Sequence, residues 1–173
     1  MGLLDTLFAP ARPDAVVAEE RADTICAPVS GRVVSLSKVS DPVFAQGMLG
    51  EGLAIVPRGE VAYAPASGVV TAVVSSKHAV AIKADSGAEV LLHVGVDTVG
   101  LKGRGFHTYV GKGDRVRAGE ALIAFDAELI HGCGLDDTVI VTVTNPEECG
   151  RVVPACEGDV AAGEQLLSTR AAA

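Results

Sequence analysis

The sequence has 173 residues, a hydrophobic content of 49% and a formal net charge of −8, which is enough chain for one domain with a full core. The acidic balance argues against a nucleic-acid partner, which requires clustered Lys and Arg. The chain has no apolar run of membrane-spanning length and no positively charged secretory start. Its four cysteines lack C-x-x-C spacing, so we expect a cytoplasmic protein with reduced thiols.

The first 23 residues form an N-terminal segment that we expect to be flexible. Leu3, Leu4, Leu7 and Phe8 fall at helical spacing, so this segment could form a short amphipathic turn that contacts a membrane surface. Pro10 and Pro13 then interrupt any longer helix. We predict one folded domain over residues 24–170.

Short β-prone runs separated by Gly, Pro, Asp and Ser follow, without a long amphipathic helix, which predicts an all-β fold with only short helical turns. Two motifs are repeated. Residues 27–34 (APVSGRVV) recur as residues 64–70 (APASGVV), and residues 113–122 (GDRVRAGEAL) recur as residues 158–166 (GDVAAGEQL). Paired repeats predict two interlocked halves around one core, as a duplicated β-sandwich or barrel.

Residues 41–52 (DPVFAQGMLGEG) break this pattern, because Phe44, Met48 and Leu49 have the spacing of one short helical turn. Such a turn could present its apolar side as a docking patch, or it could fill the core.

A predicted hairpin over residues 76–98 carries His78 before its turn at residues 85–87 and His93 after it. A two-residue or four-residue loop places both imidazoles on one face, either directly opposite or diagonal to each other. A slip of one residue places them on opposite faces. A histidine pair could bind a metal, divide acid and base roles, or hold a phosphoryl group, and two unrelated histidines remain the simple alternative.

Residues 92–106 (LHVGVDTVGLKGRGF) are similar to the signature of the glucose-type enzyme IIA family of the bacterial phosphoenolpyruvate:sugar phosphotransferase system. The resemblance extends from about Ala27 to Leu167 and includes the Lys77-His78-Ala79 run. It implies a duplicated hybrid β-sandwich that acts as a phosphocarrier, without a required cofactor or permanent metal.

The resemblance also implies roles for individual residues. His93 would accept the phosphoryl group on Nε2, His78 would stabilise it, and Ser76 would orient His78 where the family usually has a threonine. Asp41 and Asp97 would form an acidic rim. An apolar docking ring would comprise Phe44, Met48, Leu49, Val74, Leu91 and Val99.

The partners implied are the histidine-containing phosphocarrier protein, which donates the phosphoryl group, and a cysteine of a sugar permease's IIB domain, which receives it. Glucose and N-acetylglucosamine are the leading sugars. The resemblance further implies regulatory signalling by the phosphorylation state of His93, with regulated metabolic enzymes or transporters as partners, and a zinc site of His78 and His93 completed by a partner's carboxylate. A surface used in turn by several partners favours a monomer. Val74 and Leu91 stand where several relatives have aromatic residues, which predicts a smoother docking ring.

One enzymatic alternative is a lysostaphin-type zinc endopeptidase, because His93 and Asp97 have the spacing of two of its zinc ligands. Those enzymes also need a His-x-His pair, which this sequence lacks. A biotinyl-type or lipoyl-type carrier module is a second alternative, but Lys77 and Lys83 flank the hairpin rather than cap it.

Overall fold

The computed structural model describes residues 10–170, and these residues form strands connected by turns and a few short helical segments. The strands are β1 (Thr24–Cys26), β2 (Gly31–Ser35), β3 (Glu51–Pro57), β4 (Val61–Tyr63), β5 (Gly68–Val73), β6 (Ala79–Ala84), β7 (Glu89–Val96), β8 (Phe106–Thr108), β9 (Arg115–Val116), β10 (Ala121–Phe125), β11 (Asp136–Val143), β12 (Arg151–Pro154), β13 (Asp159–Val160) and β14 (Gln165–Arg170). The α-helices are α1 (Pro42–Ala45), α2 (Ala127–Gly132) and α3 (Pro146–Cys149), and the 3-10 helices are Leu36–Lys38 and Thr98–Leu101.

The strands form one eight-stranded sheet, in the order β13-β2-β3-β11-β7-β6-β5-β9, and two three-stranded sheets, β1-β14-β12 and β4-β10-β8. The all-β prediction is therefore confirmed. The sheets are open in the described part of the chain, so of the two predicted forms the structure is a sandwich and not a closed barrel. The central pair, β7 and β11, is antiparallel, with His93 opposite Ile140.

The sequence repeats form the same structure twice. Gly119 donates its N–H to the carbonyl of Ala64 at 2.9 Å, and Gly163 donates in the same way to Ala27 at 2.9 Å. Both glycines have left-handed backbones, with φ of 91° and 92°. Each Ala-Pro-x-Ser-Gly motif therefore pairs with one Gly-Asp motif from elsewhere in the chain, and the two halves are interlocked.

Strand alternation produces two buried layers. The main core fills the space between the large sheet and the two small sheets, and its β6 and β7 side chains are Val80, Ile82, Ala84, Val90, Leu92 and Val94. A smaller core covers the outer face of the large sheet and contains Leu36, Val39, Phe44, Ala54, Val96 and Ile140. His78 and His93, the histidine pair that is predicted to be functional, lie beside this outer core.

The N-terminal segment is described from residue 10 onward, and there it is fixed against the domain. Val16 donates its N–H to the carbonyl of Gly119 at 3.0 Å, and Glu19 donates to that of Gly163 at 2.8 Å. Residues 10–23 thus form hydrogen bonds to both repeats, and the flexibility expected for residues 1–23 stays a prediction. The predicted amphipathic turn at Leu3–Phe8 lies outside the described residues. Within residues 10–170 there is no helix that is long and apolar enough to cross a bilayer.

Candidate functional site

The two histidines of the β6–β7 hairpin meet at the end opposite its turn. The ring centroids of His78 and His93 are 4.7 Å apart and the rings are nearly perpendicular, at 83°. Imidazoles this close can act on one small group together. The two imidazoles are thus within side-chain reach of each other, and their joint role stays a prediction.

The observed hairpin register differs from the registers that were predicted to place both histidines on one face. The turn is a three-residue loop, Asp85–Gly87, closed by hydrogen bonds between Ala84 and Ala88 and between Gly87 and Ala84. Ala79, and not His78, therefore lies opposite His93. The left-handed conformation of Gly87 (φ 97°) permits this loop, which is a common hairpin form. His78 precedes β6, so the regular alternation of the strand no longer determines where its ring points.

His93 sits on the outer face of the large sheet with its Nδ1 buried and without a hydrogen-bond partner among the described residues. Nε2 is therefore the ring nitrogen through which it can react with an incoming group. Burial first, and the neighbouring charge of His78 second, lower the pKa of His93 to about 4. The backbone of Gly95 and the charge of Asp41 partly oppose this shift. The ring is consequently neutral near pH 7, as a nucleophile must be.

His78 is more deeply buried, with 6% of its surface exposed. Ser76 Oγ lies 2.9 Å from its Nδ1, and the Phe106 ring packs against it at a centroid distance of 6.3 Å. Burial lowers the pKa of His78, and a backbone hydrogen bond with Ser76 offsets part of the effect. The Ser76 hydroxyl is thus placed where it can fix the orientation of this imidazole.

Two acidic residues flank the pair in different ways. Asp41 caps helix α1 by accepting the N–H of Val43 at 2.9 Å, and its charge reaches His93. Asp97 is exposed and has a left-handed backbone (φ 60°) at the start of the second 3-10 helix. Both carboxylates are available to a basic partner.

Most members of the predicted docking ring are exposed apolar side chains. Met48, Leu49, Val74 and Val99 are 69%, 39%, 38% and 59% exposed. Leu91 is half-buried against the outer core. Exposed apolar side chains, where they form one contiguous patch, are typical of a docking surface.

Phe44 requires a correction. It belongs to the predicted docking ring, but it is only 2% exposed and lies in the outer core. Its ring packs edge-on against His93 at 4.9 Å, so it supports the imidazole from behind. Val43, which sequence reasoning missed, is the exposed side chain of this helix at 38%. Adjacent residues of a helix point in different directions. The position of Val43 next to an apolar Phe44 was therefore the sequence signal that Val43 could be exposed if Phe44 is buried.

The described residues contain no cluster of three or more His, Cys, Asp or Glu side chains that could hold a metal ion. His78 and His93 could supply two ligands, and the others would have to come from elsewhere. His107 and His131 lie outside the pair: His107 packs on Tyr109, and His131 Nε2 lies 3.1 Å from Asp137.

The chain is similar to known proteins of one family. The model of the family described as phosphoenolpyruvate-dependent sugar phosphotransferase system, EIIA 1, matches residues 23–149. The chain is 40% identical over 152 residues to the PTS system glucose-specific EIIA component of Halalkalibacterium halodurans, covering 88% of each protein. It is also 40% identical over 169 residues to the beta-glucoside-specific EIIBCA component of Dickeya chrysanthemi, covering 94% of this chain and 27% of that protein.

The fold is likewise similar to a solved structure. Glucose permease IIA from Mycoplasma capricolum superposes with a TM-score of 0.75 at 33% sequence identity, over 85% of this chain and 95% of that one. These matches do not support the zinc endopeptidase alternative with His93 and Asp97 as ligands. The chain belongs to the EIIA 1 family of the phosphoenolpyruvate-dependent sugar phosphotransferase system and is a phosphotransferase component that carries phosphohistidine.

Proposed function

We propose that His93 is the phosphoryl acceptor and that His78 and Ser76 stabilise the phosphoryl group on it. The observation that carries this proposal is the 4.7 Å contact between the buried ring of His78 and the half-buried ring of His93, whose Nδ1 is buried. A neutral ring with its proton on the buried Nδ1 leaves the Nε2 lone pair free for attack on phosphorus.

In the first transfer, a bond forms between Nε2 of His93 and phosphorus while the bond from phosphorus to the donor histidine breaks. In the second, a cysteine sulfur of the IIB domain attacks phosphorus and the bond to Nε2 breaks. When the Ser76 hydroxyl donates to Nδ1 of His78, the proton of that neutral ring is on Nε2 and can be donated to a phosphoryl oxygen. Positioning and charge stabilisation are most of what phosphoryl transfer requires.

The docking partners follow from the surface. The exposed side chains of Val43, Met48, Leu49, Val74 and Val99 would exclude water when a partner closes over the site. Asp41 and Asp97 would pair with basic side chains at the rim, and Leu91 would contribute its half-exposed edge. The donor would be the histidine-containing phosphocarrier protein.

The acceptor would be the IIB domain of a glucose-type or N-acetylglucosamine-type permease. Some relatives are EIIBCA components, whose names place an EIIA part beside EIIB in one chain. A surface that is used in turn by several partners favours a cytoplasmic monomer that is open to regulated enzymes or transporters as well. Zinc would bind only when a partner adds a carboxylate to His78 and His93.

The test is phosphoryl transfer from labelled phosphoenolpyruvate through enzyme I and the phosphocarrier protein. Wild type should take an acid-labile label, and His93→Gln should take none. His78→Gln should keep the label but fail to pass it to a IIB domain. His131→Gln makes the same chemical change outside the site and should behave as wild type. An unlabelled wild type with competent donors contradicts the proposal.

A further inference from the structure

Lys77, the residue just before His78, has a backbone that lysine rarely adopts. Its φ is 61°, in the left-handed region. In the described chain only three non-glycine residues have a positive φ, and the other two, Asp97 and Lys102, flank the 3-10 helix that follows β7. Side chains with a Cβ avoid this region, and Asn and Asp tolerate it better than Lys does. Such outliers tend to persist at functional sites.

The register of the β6–β7 hairpin suggests what the left-handed backbone of Lys77 does. The carbonyl of His78 accepts the N–H of Val94 at 2.8 Å, so His78 lies opposite a residue of the main core. If β6 continued regularly through Lys77, His78 would share the face of Val80 and point into that core. The chain turns instead. Lys77 donates its N–H to Val74 at 2.9 Å, which closes a turn directly before His78.

The charge of Lys77 does not explain its position. The ammonium group contributes to lowering the pKa of His107, after burial, and is not among the groups that shift the pKa of His78 or His93. Its aliphatic stem runs beside Gly103, where a Cβ would lie 3.8 Å from Lys77 Cδ. The backbone conformation of Lys77 is therefore the feature that could affect His78.

We propose that Lys77 is a positioning residue whose left-handed backbone turns His78 out of the strand alternation and onto His93. The expected effect of Lys77 on phosphoryl transfer rests on the proposed function, because the displaced ring of His78 is the one that stabilises the phosphoryl group. It does not depend on the lysine charge.

The test compares substitutions that differ in their tolerance of the left-handed backbone. Lys77→Asn and Lys77→Gly permit it, Lys77→Gln removes only the charge, and Lys77→Val disfavours it strongly through branching at Cβ. The Val variant should pass its phosphoryl group to a IIB domain about tenfold more slowly, while labelling of His93 is reduced less. The Asn, Gly and Gln variants should stay within about twofold of wild type.

A second readout does not require turnover. Proton NMR titration should give the His78 imidazole in wild type, Asn, Gly and Gln a common lowered pKa, and in the Val variant a pKa closer to that of an exposed histidine. Lys77→Asn should also unfold at a higher urea concentration than wild type, which tests the strain even if the Val variant does not fold.

The inference is wrong if Lys77→Val keeps the wild-type His78 titration and transfer rate, or if Asn and Gly lose as much as Val. It is also wrong if Gln alone abolishes transfer, because the charge would then be the cause. Failure of wild type to accept label would contradict the proposed function instead, and the His78 titration would still decide the positioning role of Lys77.

Discussion

Both ends of the β6–β7 hairpin contain left-handed backbone conformations, but different types of residue adopt them. At the turn, the left-handed position is filled by Gly87, and nothing lies within 4 Å of where its Cβ would be. Its charges are exposed, with Arg115 bonded to Asp85 at 2.6 Å. At the histidine end, Lys77 and Asp97 adopt left-handed backbones despite their side chains.

This difference separates a turn that only connects strands from an end that is shaped around a site. The turn has open space and solvated charge, so it tolerates change. At the histidine end two imidazoles are held neutral by burial, and Gly95 lies so close to Thr98 that a Cβ would overlap it. Strain and desolvation are concentrated where chemistry is proposed.

The largest difference should appear between the two glycines. At Gly95 (φ 82°) a Cβ would overlap Thr98 Cγ2 and lie 2.9 Å from the carbonyl oxygen of Asp136. Because Thr98 is fully buried, Gly95→Ala should lower the free energy of unfolding by about 3 kcal/mol. Gly87→Ala meets no atom, so it should lose only about 1 kcal/mol. Urea unfolding measures both, and equal losses would remove the contrast.

Acid should affect the two ends in different pH ranges. The pKa of His93 is about 4 in the folded protein and 6.5 in the unfolded chain. As the pH falls below 6.5 the unfolded chain binds the proton first, so stability decreases, by about 2–3 kcal/mol between pH 7 and pH 4. The lowered pKa of Asp85 loses its stabilising effect only below its ordinary value of 3.8.

Urea unfolding at pH 7, 5.5 and 4.5 checks this order. His93→Gln should weaken the decline with acid, whereas Asp85→Asn should leave the decline in this range unchanged. A decline that is the same in wild type and His93→Gln would mean that His93 is not the group responsible.

The two serines provide a smaller contrast. Ser76→Ala removes the hydroxyl 2.9 Å from His78 Nδ1 and should slow transfer to a IIB domain about fivefold, since one hydrogen bond to the imidazole contributes about 1 kcal/mol. Ser76→Thr should restore the rate. Ser86→Ala removes the hydroxyl that accepts the Ala88 N–H at the turn, and its transfer rate should equal that of wild type. Equal rates for Ser76→Ala and wild type would exclude the positioning role.

The smallest effect is expected for the ion pair at the turn. Arg115→Gln breaks its hydrogen bonds to Asp85, but both groups are fully exposed and screened by solvent. Neither the urea midpoint nor the transfer rate should change measurably. A clear loss of transfer would show that the turn is coupled to the histidines through β6 and β7.

Much of this molecule can be predicted from local sequence. Short β-prone runs and paired Gly motifs indicate a duplicated sandwich, because turn chemistry and alternation act over a few residues. The signature around His93 identifies the family for the same reason. His78, His93 and Ser76 could all be selected from their spacing and the resemblance.

Other features depend on contacts between distant parts of the chain. Residues 10–23 look like a linker by composition, yet both repeats offer them hydrogen bonds at Gly119 and Gly163. Phe44 looks like a docking residue by spacing, but the outer face of the large sheet, with Ala54 and Ile140, provides it with a second core. Burial of this kind cannot be read from one segment.

The sequence by itself determined the strand pattern, the duplication, the family and the identity of the two histidines. Only the tertiary structure decided how those histidines meet, since the three-residue turn sets a register that alone would separate them. Register is fixed by the whole hairpin, whereas the direction of His78 is fixed by one turn at Lys77 and by packing on Phe106. The physical reason is that the direction of a side chain depends on the backbone conformation around it, which contacts between distant residues help to set. Residue type specifies only which chemistry that side chain can perform.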